Sequence, residues 1–228
     1  AVMKSTAGGA PQSVVTSTGD IGGFTLSADG NTLYFASGVT VNKTSTTPGG
    51  TVTEVGHEDT GIPRALTVEG NLIGYPTKGN GDVDIMTMVD GTPAVCASES
   101  STLVNKNCVR VARSQGSLNY DNIYILMAQA YWGNEAIVQT ASTSDTTGID
   151  TTVAGAVGLA KQLAAFSITD KTLYFADDTG FVYQAPLMPN ATPAALARGQ
   201  MGITAIVADA NNAYWANGDC SIMSVPLK

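Results

Sequence analysis

The sequence predicts an all-β fold of repeated four-stranded units, and three observations lead to this prediction. A short pattern, in which an aliphatic residue or Ala precedes Tyr, an aromatic residue and a small residue, recurs along the 228 residues. Each copy is flanked by strand-like segments and by turn clusters of Asp, Asn and Gly. No stretch shows a convincing apolar period of about 3.6 residues, so no helix is needed. Short antiparallel strands in such units are typical of a β-propeller, in which each blade covers its neighbours.

Four clear copies of the pattern and one degraded copy set the expected number of blades. The clear copies are Leu33–Ala36, Ala130–Gly133, Leu173–Ala176 and Ala213–Ala216, and the degraded copy is Leu72–Tyr75. Successive copies begin 39, 58, 43 and 40 residues apart. Removing an insertion of about 18 residues from the longest interval restores a period near 40. The sequence therefore predicts one domain over residues 1–228, a five-bladed β-propeller of four-stranded antiparallel blades, with an extra loop at about 98–120.

Each copy is expected to form the second strand of its blade, and the other strands follow from alternation and turns. The predicted first strands are 24–27, 65–68, 123–127, 166–169 and 205–208. The predicted third strands are 39–42, 83–86, 137–140, 181–184 and 221–224, and the fourth strands are 51–55, 93–95, 151–154 and 194–197. One such sheet cannot bury both of its faces alone, so the units are expected to stand in a ring.

The two ends of the chain predict how this ring closes. The last unit ends after its third strand, and Gln12–Thr16 can supply the missing fourth strand. The N- and C-terminal strands would then share one blade and close the ring noncovalently. Ala1–Ser5 also resembles a third strand, so this strand occurs once too often. Either Ser221–Pro226 displaces it, or the chain was cut from a longer array.

The cysteines indicate a disulfide and an oxidising compartment. Cys96 and Cys108 lie 12 positions apart in a loop-like stretch, where a bridge would stabilise the fold by roughly 3 kcal/mol. Two free thiols are the alternative. Cys220 is then unpaired and is expected to be a small buried side chain. Because His57 is the one histidine, no Cys/His zinc site can be assembled.

Composition and charge disfavour several classes of partner. Charged residues make up 13% of the chain, and the polar surface comes instead from 28 Thr and 16 Ser. With 11 Lys and Arg against 19 Asp and Glu, the acidic chain has a net charge of −8, which argues against nucleic acid and anionic membrane surfaces. No run approaches the roughly 18 apolar residues of a membrane-spanning helix. The disulfide, this composition and a start at Ala1 fit a processed, secreted or cell-surface protein.

One motif near the C-terminus resembles a known family. Ala213–Asn217, followed by Ser221–Leu227, is similar to the repeat of YWTD-like and related bacterial secreted β-propellers, and Phe181–Leu187 is a second match. That repeat reads as a hydrophobic residue, Tyr, Trp, any residue and Asp or Asn, then a turn and a strand ending in Pro-Leu. The family's rings commonly have six blades, whereas this chain shows five copies. The resemblance implies an extracellular binding scaffold.

No catalytic, cofactor-binding or metal-binding constellation is predicted, so the chain is expected not to be an enzyme. His57 lies at a strand end without a partner pattern for acid–base catalysis. A glycoside hydrolase is the third and least favoured function, because it would need paired carboxylates on the first strands, which contain neither Asp nor Glu. The turn Asp177–Gly180 lacks the full acidic spacing of a calcium loop, so a structural turn is the expected role.

The expected function is a noncatalytic interaction scaffold that binds a protein or glycan through loops on one propeller face. Function in repeat folds concentrates in loops that break the repeat. The candidate ligand-binding residues in and beside the predicted loop are Lys106, Arg110, Arg113, Tyr120 and Asp121. A loop that only caps a sheet edge is the alternative interpretation.

A lectin with repeated sites between blades is the second functional hypothesis. It requires the Tyr-aromatic pairs to be exposed, because sugars stack on accessible aromatic faces. Trp132 and Trp215 occupy equivalent positions in the repeat, which favours packing between blades instead.

Overall fold

Every regular element of the described chain is a β-strand, which confirms the all-β prediction. The computed structural model describes residues 1–5, 10–16, 19–59, 61–78, 83–91, 94–96, 104–105, 107–114, 118–144, 151–155 and 162–227. Within these ranges there is no helix long and apolar enough to cross a membrane.

The strands are short and follow one another closely along the chain. The first twelve are β1 (Val2–Lys4), β2 (Gln12–Val15), β3 (Ile21–Leu26), β4 (Thr32–Ser37), β5 (Thr40–Ser45), β6 (Thr53–Glu58), β7 (Ile62–Pro63), β8 (Thr67–Glu69), β9 (Leu72–Lys78), β10 (Val83–Val89), β11 (Ala94–Cys96) and β12 (Val104–Asn105). The next twelve are β13 (Cys108–Ser114), β14 (Leu118–Leu126), β15 (Gln129–Asn134), β16 (Ile137–Ser142), β17 (Thr151–Gly155), β18 (Leu163–Ile168), β19 (Thr172–Asp177), β20 (Val182–Pro186), β21 (Ala194–Ala197), β22 (Ala205–Ala208), β23 (Asn212–Ala216) and β24 (Ile222–Pro226).

These strands form six sheets, here numbered in chain order. Sheet 1 is the β1–β2 hairpin, and sheet 2 runs from β3 to β6 with β11 added beside β6. Sheet 3 has the order β12-β13-β10-β9, and both β7 and β8 pair with β9. Sheets 4 and 5 run from β14 to β17 and from β18 to β21, and sheet 6 contains β22, β23 and β24. Antiparallel strands in chain order are the arrangement of propeller blades.

The repeated pattern marks the second strand of sheets 2 to 6, as predicted. Because neighbouring side chains of a strand point to opposite faces, the Tyr and the aromatic residue after it serve different contacts. Tyr174 packs in the apolar cluster that joins sheet 5 to sheet 6, whereas Phe175 packs in the cluster that joins sheet 4 to sheet 5. Five such clusters each join two successive sheets, so the core consists of layers between sheets.

The predicted closure of the ring is wrong in this structure. Val2 of β1 pairs with Val15 of β2 in a separate sheet, and β24 pairs within the described residues only with β23. The surplus third strand explains the difference, because Ala1–Ser5 takes the edge of β2 that the prediction gave to Ser221–Pro226. The prediction of five blades is not confirmed, since the described residues form six sheets.

The fourth strand of sheet 3 also differs from the prediction. Residues 93–95 were expected there, but Ala94 of β11 pairs in parallel with Gly56 of sheet 2. Gly56 permits this approach, because a Cβ at that position would lie 3.0 Å from the Ala94 Cβ. β13 supplies the fourth strand instead, so part of the predicted loop at 98–120 is regular sheet. Residues 98–103, 106 and 115–117 of that loop lie outside the described residues.

Candidate interaction surface

The described residues among the predicted ligand-binding set lie on two different strands. Arg110 and Arg113 lie on β13, and Tyr120 and Asp121 lie on β14, at an irregularity in the pairing of β14 with β15. Lys106 lies outside the described residues. Among the described strands, β13 packs beside β10, β11, β12 and β16, whereas β14 packs beside β8, β9, β15 and β18. The structure therefore does not gather the two arginines and the Tyr120–Asp121 pair into one packed cluster.

Arg110 is part of a buried charge cluster. Its Nη1 lies 3.5 Å from Asp84 Oδ2, and both side chains are buried. Arg113 Nε donates a 3.1 Å hydrogen bond to Asp84 Oδ1, and its side chain is 37% exposed. Burial raises the pKa of Asp84 and outweighs the opposite effect of the two guanidinium groups. Of these two arginines, Arg113 is the one with a guanidinium that a partner can reach.

The Cys96–Cys108 disulfide is present and joins two sheets. Cys96 lies on β11 of sheet 2, Cys108 lies on β13 of sheet 3, and both are buried. Nearby, the Tyr75 hydroxyl donates a 2.8 Å hydrogen bond to Glu58 Oε1. Burial, together with the neighbouring Glu58 carboxylate, raises the pKa of Tyr75 well above its usual value. The bridge therefore stabilises the base of β13, the strand that carries the candidate arginines.

Cys220 does not follow its prediction. It was expected to be buried, but it is an exposed free cysteine with a positive φ of 68°. It lies in the turn before β24, where Ser221 donates from its backbone N–H and its hydroxyl to Asp219 Oδ1. The turn geometry, and not core packing, determines its position.

The repeated Tyr-aromatic pairs are packing residues in sheets 2, 4 and 5. Tyr34, Tyr131 and Tyr174 are buried in apolar clusters, and so are Trp132 and Trp215. A sugar cannot stack on rings that are covered by the adjacent sheet. Sugar stacking on these pairs is therefore blocked in sheets 2, 4 and 5, whereas Tyr214 of sheet 6 is only half-buried.

The Asp177 turn is satisfied by protein donors. Its Oδ1 accepts hydrogen bonds from the Thr179 and Phe181 backbone N–H groups, both at 3.0 Å, and its Oδ2 accepts one from the Tyr183 hydroxyl at 3.2 Å. Burial, together with the Asp177 charge, raises the pKa of Tyr183 to about 12. These donors occupy the carboxylate oxygens that a calcium ion would need, so Asp177 is a structural turn residue.

Other acidic residues also serve local structure. Hydrogen bonds from the Ser27 hydroxyl and from Asn31 lower the pKa of Asp29 to about 2. The bond from the Asn31 backbone N–H to the Asp29 carboxylate is that of an Asx turn. Asp209 and Asp219 make similar contacts, and their pKa values are lowered by the backbone and side-chain donors of their turns. His57 Nδ1 lies 3.1 Å from Glu54 Oε1 on an exposed part of β6. Among the described residues, no group of three metal-ligating side chains occurs.

Sequence reasoning missed one feature, the uncovered outer face of sheet 6. An apolar groove of about 170 Å³ lies on this face and is lined by residues of all three of its strands. The lining residues are Ala205, Ile206, Val207, Tyr214, Trp215, Ala216 and Ile222. The signal in the sequence was local, because Val207 and Ile222 are apolar at positions that the strand register pairs with Tyr214 and Ala216.

Comparison with known proteins assigns this architecture to the β-propellers. Similar solved structures include the nidogen/laminin complex, with 14% identity over 91% of this chain and 76% of the other, and a TM-score of 0.60. The WD40 β-propeller domain of Doa1 is similar at 12% identity, over 93% of this chain and 67% of the other, with a TM-score of 0.61. YCF48 from Cyanidioschyzon merolae matches at 13% identity over 91% and 67%, with a TM-score of 0.60.

These similarities establish the propeller fold. Sequence identities this low do not allow the activity of one protein to be inferred for another. No protein-family model and no curated protein matches the sequence. The resemblance to YWTD-like repeats is thus confirmed at the level of the propeller fold.

Proposed function

We propose that the chain is a noncatalytic interaction scaffold, located outside the cell or on its surface, that binds a protein or glycan partner through loops on one face. Propellers in general support such a role, because loops between rigid strands can vary without loss of the core. The similar solved structure from the nidogen/laminin complex is itself an assembly of two proteins.

One observation carries this proposal: the carboxylates of Asp84, Asp90 and Asp177 are each engaged in structural contacts. Asp84 forms ion pairs with two arginines. Asp90 forms an ion pair with Lys43 and accepts a hydrogen bond from the Tyr34 hydroxyl, and Asp177 accepts a hydrogen bond from a backbone N–H of its own turn. Acid–base catalysis needs titratable groups that converge on a reacting atom and are not consumed by the fold. This arrangement supports binding as the role of the chain.

The disulfide supports an extracellular location. Disulfides persist in oxidising compartments and are rare in reducing ones. The bridge between Cys96 and Cys108 is buried between two sheets, where it has a structural role.

We assign the contact region to the boundary of sheets 3 and 4. Arg113 is exposed enough to form paired hydrogen bonds with a carboxylate or with sugar hydroxyls. Arg110 is held by Asp84 beneath it and keeps β13 in position. Lys106, Tyr120 and Asp121 belong to the proposed contact set because they flank β13 along the sequence.

The test compares two charge reversals on the same molecule. Wild-type protein is applied to an array of glycans and to a panel of purified extracellular domains, and each ligand found is titrated. Arg113→Glu should weaken its binding at least tenfold, whereas Lys171→Glu, an exposed cation in a turn of sheet 5, should leave it unchanged. Equal binding by both variants contradicts the contact region, and turnover of an applied glycan contradicts the noncatalytic role.

A further inference from the structure

The turn between the first two strands of sheet 4 has an unusual composition. Leu126 pairs with Gln129, so the hairpin loop consists of Met127 and Ala128 alone. Met127 has a φ of 51° and Ala128 has a φ of 57°, which is the backbone of a type I′ turn. Asn and Gly are the usual residues of this turn, because most other side chains are strained at positive φ. The sequence of this turn is therefore not the one that its backbone favours.

The equivalent turns of the other repeated sheets differ from it. They span residues 27–31, 70–71, 169–171 and 209–211, and none of them contains a large apolar side chain. Among the described residues, Met127 and Ala128 are the one pair of consecutive non-glycine residues with positive φ. A residue choice that departs both from the repeat and from the local rule is expected at a functional position.

A carboxylate of the neighbouring sheet holds this turn in place. Glu69 Oε1 accepts a 2.8 Å hydrogen bond from the Met127 N–H, and Glu69 Oε2 accepts one of 3.3 Å from the Ala128 N–H. On the other side, the Ala128 carbonyl oxygen accepts a 2.9 Å hydrogen bond from the Thr143 N–H. The backbone of the turn is thus fixed from two directions, whereas the Met127 side chain is 72% exposed. A partner that binds this side chain does not have to order the backbone beneath it.

Two further apolar side chains lie in a row with Glu69 on sheet 3. Glu69 pairs with Leu72, and Leu72 pairs with Val89. Because directly paired residues of adjacent strands share a face, the three side chains point to the same side of sheet 3. Leu72 is half-buried, and Val89 is 45% exposed. The hydrogen bonds from Glu69 to the turn place Met127 at the end of this row.

Glu69 also supplies the charge of this surface. Within the described part of the chain, the ion pairs involve other carboxylates, and no Lys or Arg pairs with Glu69. Its two oxygens offer about four acceptor positions, and the turn occupies two of them. A guanidinium or ammonium group of a partner can therefore still bind this carboxylate.

We propose that Met127, Val89 and Glu69 form a docking surface for a protein partner that offers an apolar pocket to Met127 and a Lys or Arg to Glu69. Methionine is enriched at protein interfaces, because its flexible and polarizable side chain fills pockets of varied shape. The cation opposite Glu69 gives the contact its orientation and its specificity. Val89 ends β10, whereas Asp84 and its partner Arg113 lie near the start of that strand. This surface is therefore additional to the contact region assigned above.

The probe for this proposal is a phage-displayed library of disulfide-cyclised random peptides, selected on the immobilised full chain. Most recovered peptides should carry Lys or Arg beside apolar residues, because binding energy concentrates at a few anchor positions. Met127→Asp should weaken their binding by roughly tenfold or more. Met201→Asp, at a methionine that is 77% exposed before sheet 6, is the matched control and should leave binding unchanged. Recovery of no peptide, or of peptides that bind both variants equally, overturns the proposal.

A double variant separates recognition from folding. Met127→Asn with Ala128→Gly restores the usual residues of the turn and should raise the melting temperature by roughly 2–6 °C. The same variant should weaken the selected peptides by roughly tenfold or more, because the apolar anchor is lost. A purely structural turn predicts the higher melting temperature with unchanged binding, and this result would overturn the proposal.

Two further measurements test the charge and the alternative occupant. Glu69→Gln should weaken the peptides by about threefold or more and should reduce the salt dependence of their binding. Unchanged affinity and salt dependence contradict the role of Glu69. A dimer that sedimentation detects in the wild type and not in Met127→Asp assigns the surface to a second copy and overturns the proposal. Because Arg113→Glu acts at the other end of β10, none of these outcomes decides the test of the first contact region.

Discussion

The Tyr34 hydroxyl donates a 2.8 Å hydrogen bond to Asp90 Oδ2 and thereby ties the second strand of sheet 2 to the turn after β10 in sheet 3. Lys43 Nζ donates to both oxygens of the same carboxylate, at 2.8 and 2.9 Å. Burial raises the pKa of Asp90, but the hydrogen bonds from Lys43 and Tyr34 together outweigh it and hold the pKa below its ordinary value of 3.8. The Asp90 carboxylate therefore links sheet 2 to sheet 3 through hydrogen bonds and an ion pair.

Asp90→Asn should therefore lower the free energy of unfolding at pH 7 by about 1–2 kcal/mol, the usual loss for a hydrogen-bonded charge. A depressed carboxyl pKa stabilises the fold above the unfolded-state value, and this contribution disappears as the pH falls through the folded-state value. The difference between wild type and variant should thus be constant from pH 5 to pH 7 and shrink below about pH 4. Urea unfolding at several pH values measures it, with exposed Asp170→Asn as the control that should change stability little. A difference that persists at pH 2 would count against this assignment.

The double variant Cys96→Ser, Cys108→Ser should lose about 2–4 kcal/mol of stability, because the bridge restricts the unfolded chain and holds β11 against β13. Thermal unfolding with and without a reductant gives the comparison. Cys220→Ser is the matched control, since this exposed thiol forms no bridge and its replacement should leave the melting temperature unchanged. Equal melting temperatures for the double variant and the control would show that the bridge adds nothing.

The two arginines of β13 should respond differently to truncation. Arg110→Ala leaves Asp84 buried without one of its two cations and should cost about 3 kcal/mol or more. Arg113→Ala removes a half-exposed partner and should cost about 1 kcal/mol or less. Chemical denaturation of both variants is the measurement. The reverse order of the two losses would mean that Arg113 carries the fold and is unsuited as a binding residue.

Two glycines with positive φ allow the cost of backbone strain to be measured separately from the cost of a steric collision. Gly180 has a φ of 85°, and a Cβ there would collide with the Gln200 backbone oxygen, whereas Gly30 has a φ of 71° with open space around it. Gly30→Ala should cost about 1 kcal/mol, the ordinary penalty of a left-handed alanine. Gly180→Ala should cost roughly 2–4 kcal/mol, because the Gln200 N–H to Gly180 carbonyl hydrogen bond must also yield. Similar melting temperatures for the two variants would contradict the collision.

Periodicity along the chain was enough to predict the strands of sheets 2, 4 and 5, because each copy of the pattern carries its own turns. It failed where a strand leaves its own unit, as Ala94–Cys96 does when it joins sheet 2. Nothing local distinguishes that strand from an ordinary fourth strand, since its placement depends on a bridge to Cys108 and on the small Gly56 opposite. Contacts between residues far apart in sequence cannot be predicted from the pattern of adjacent residues.

The candidate site was predictable to a similar degree. Sequence alone singled out the arginines of β13 as unusual in a chain poor in cations. It could not separate Arg110 from Arg113, because the difference arises from Asp84, which is 29 residues from Arg113 in sequence and on the adjacent strand in space. Strand register, and not residue type, decides which guanidinium faces the interior.

The layered core has a consequence for how the molecule comes apart. Because each apolar cluster of the described residues joins two successive sheets, each sheet depends on its immediate neighbours for its stability. Local unfolding of one sheet should therefore weaken the sheets beside it first and reach more distant sheets only through them.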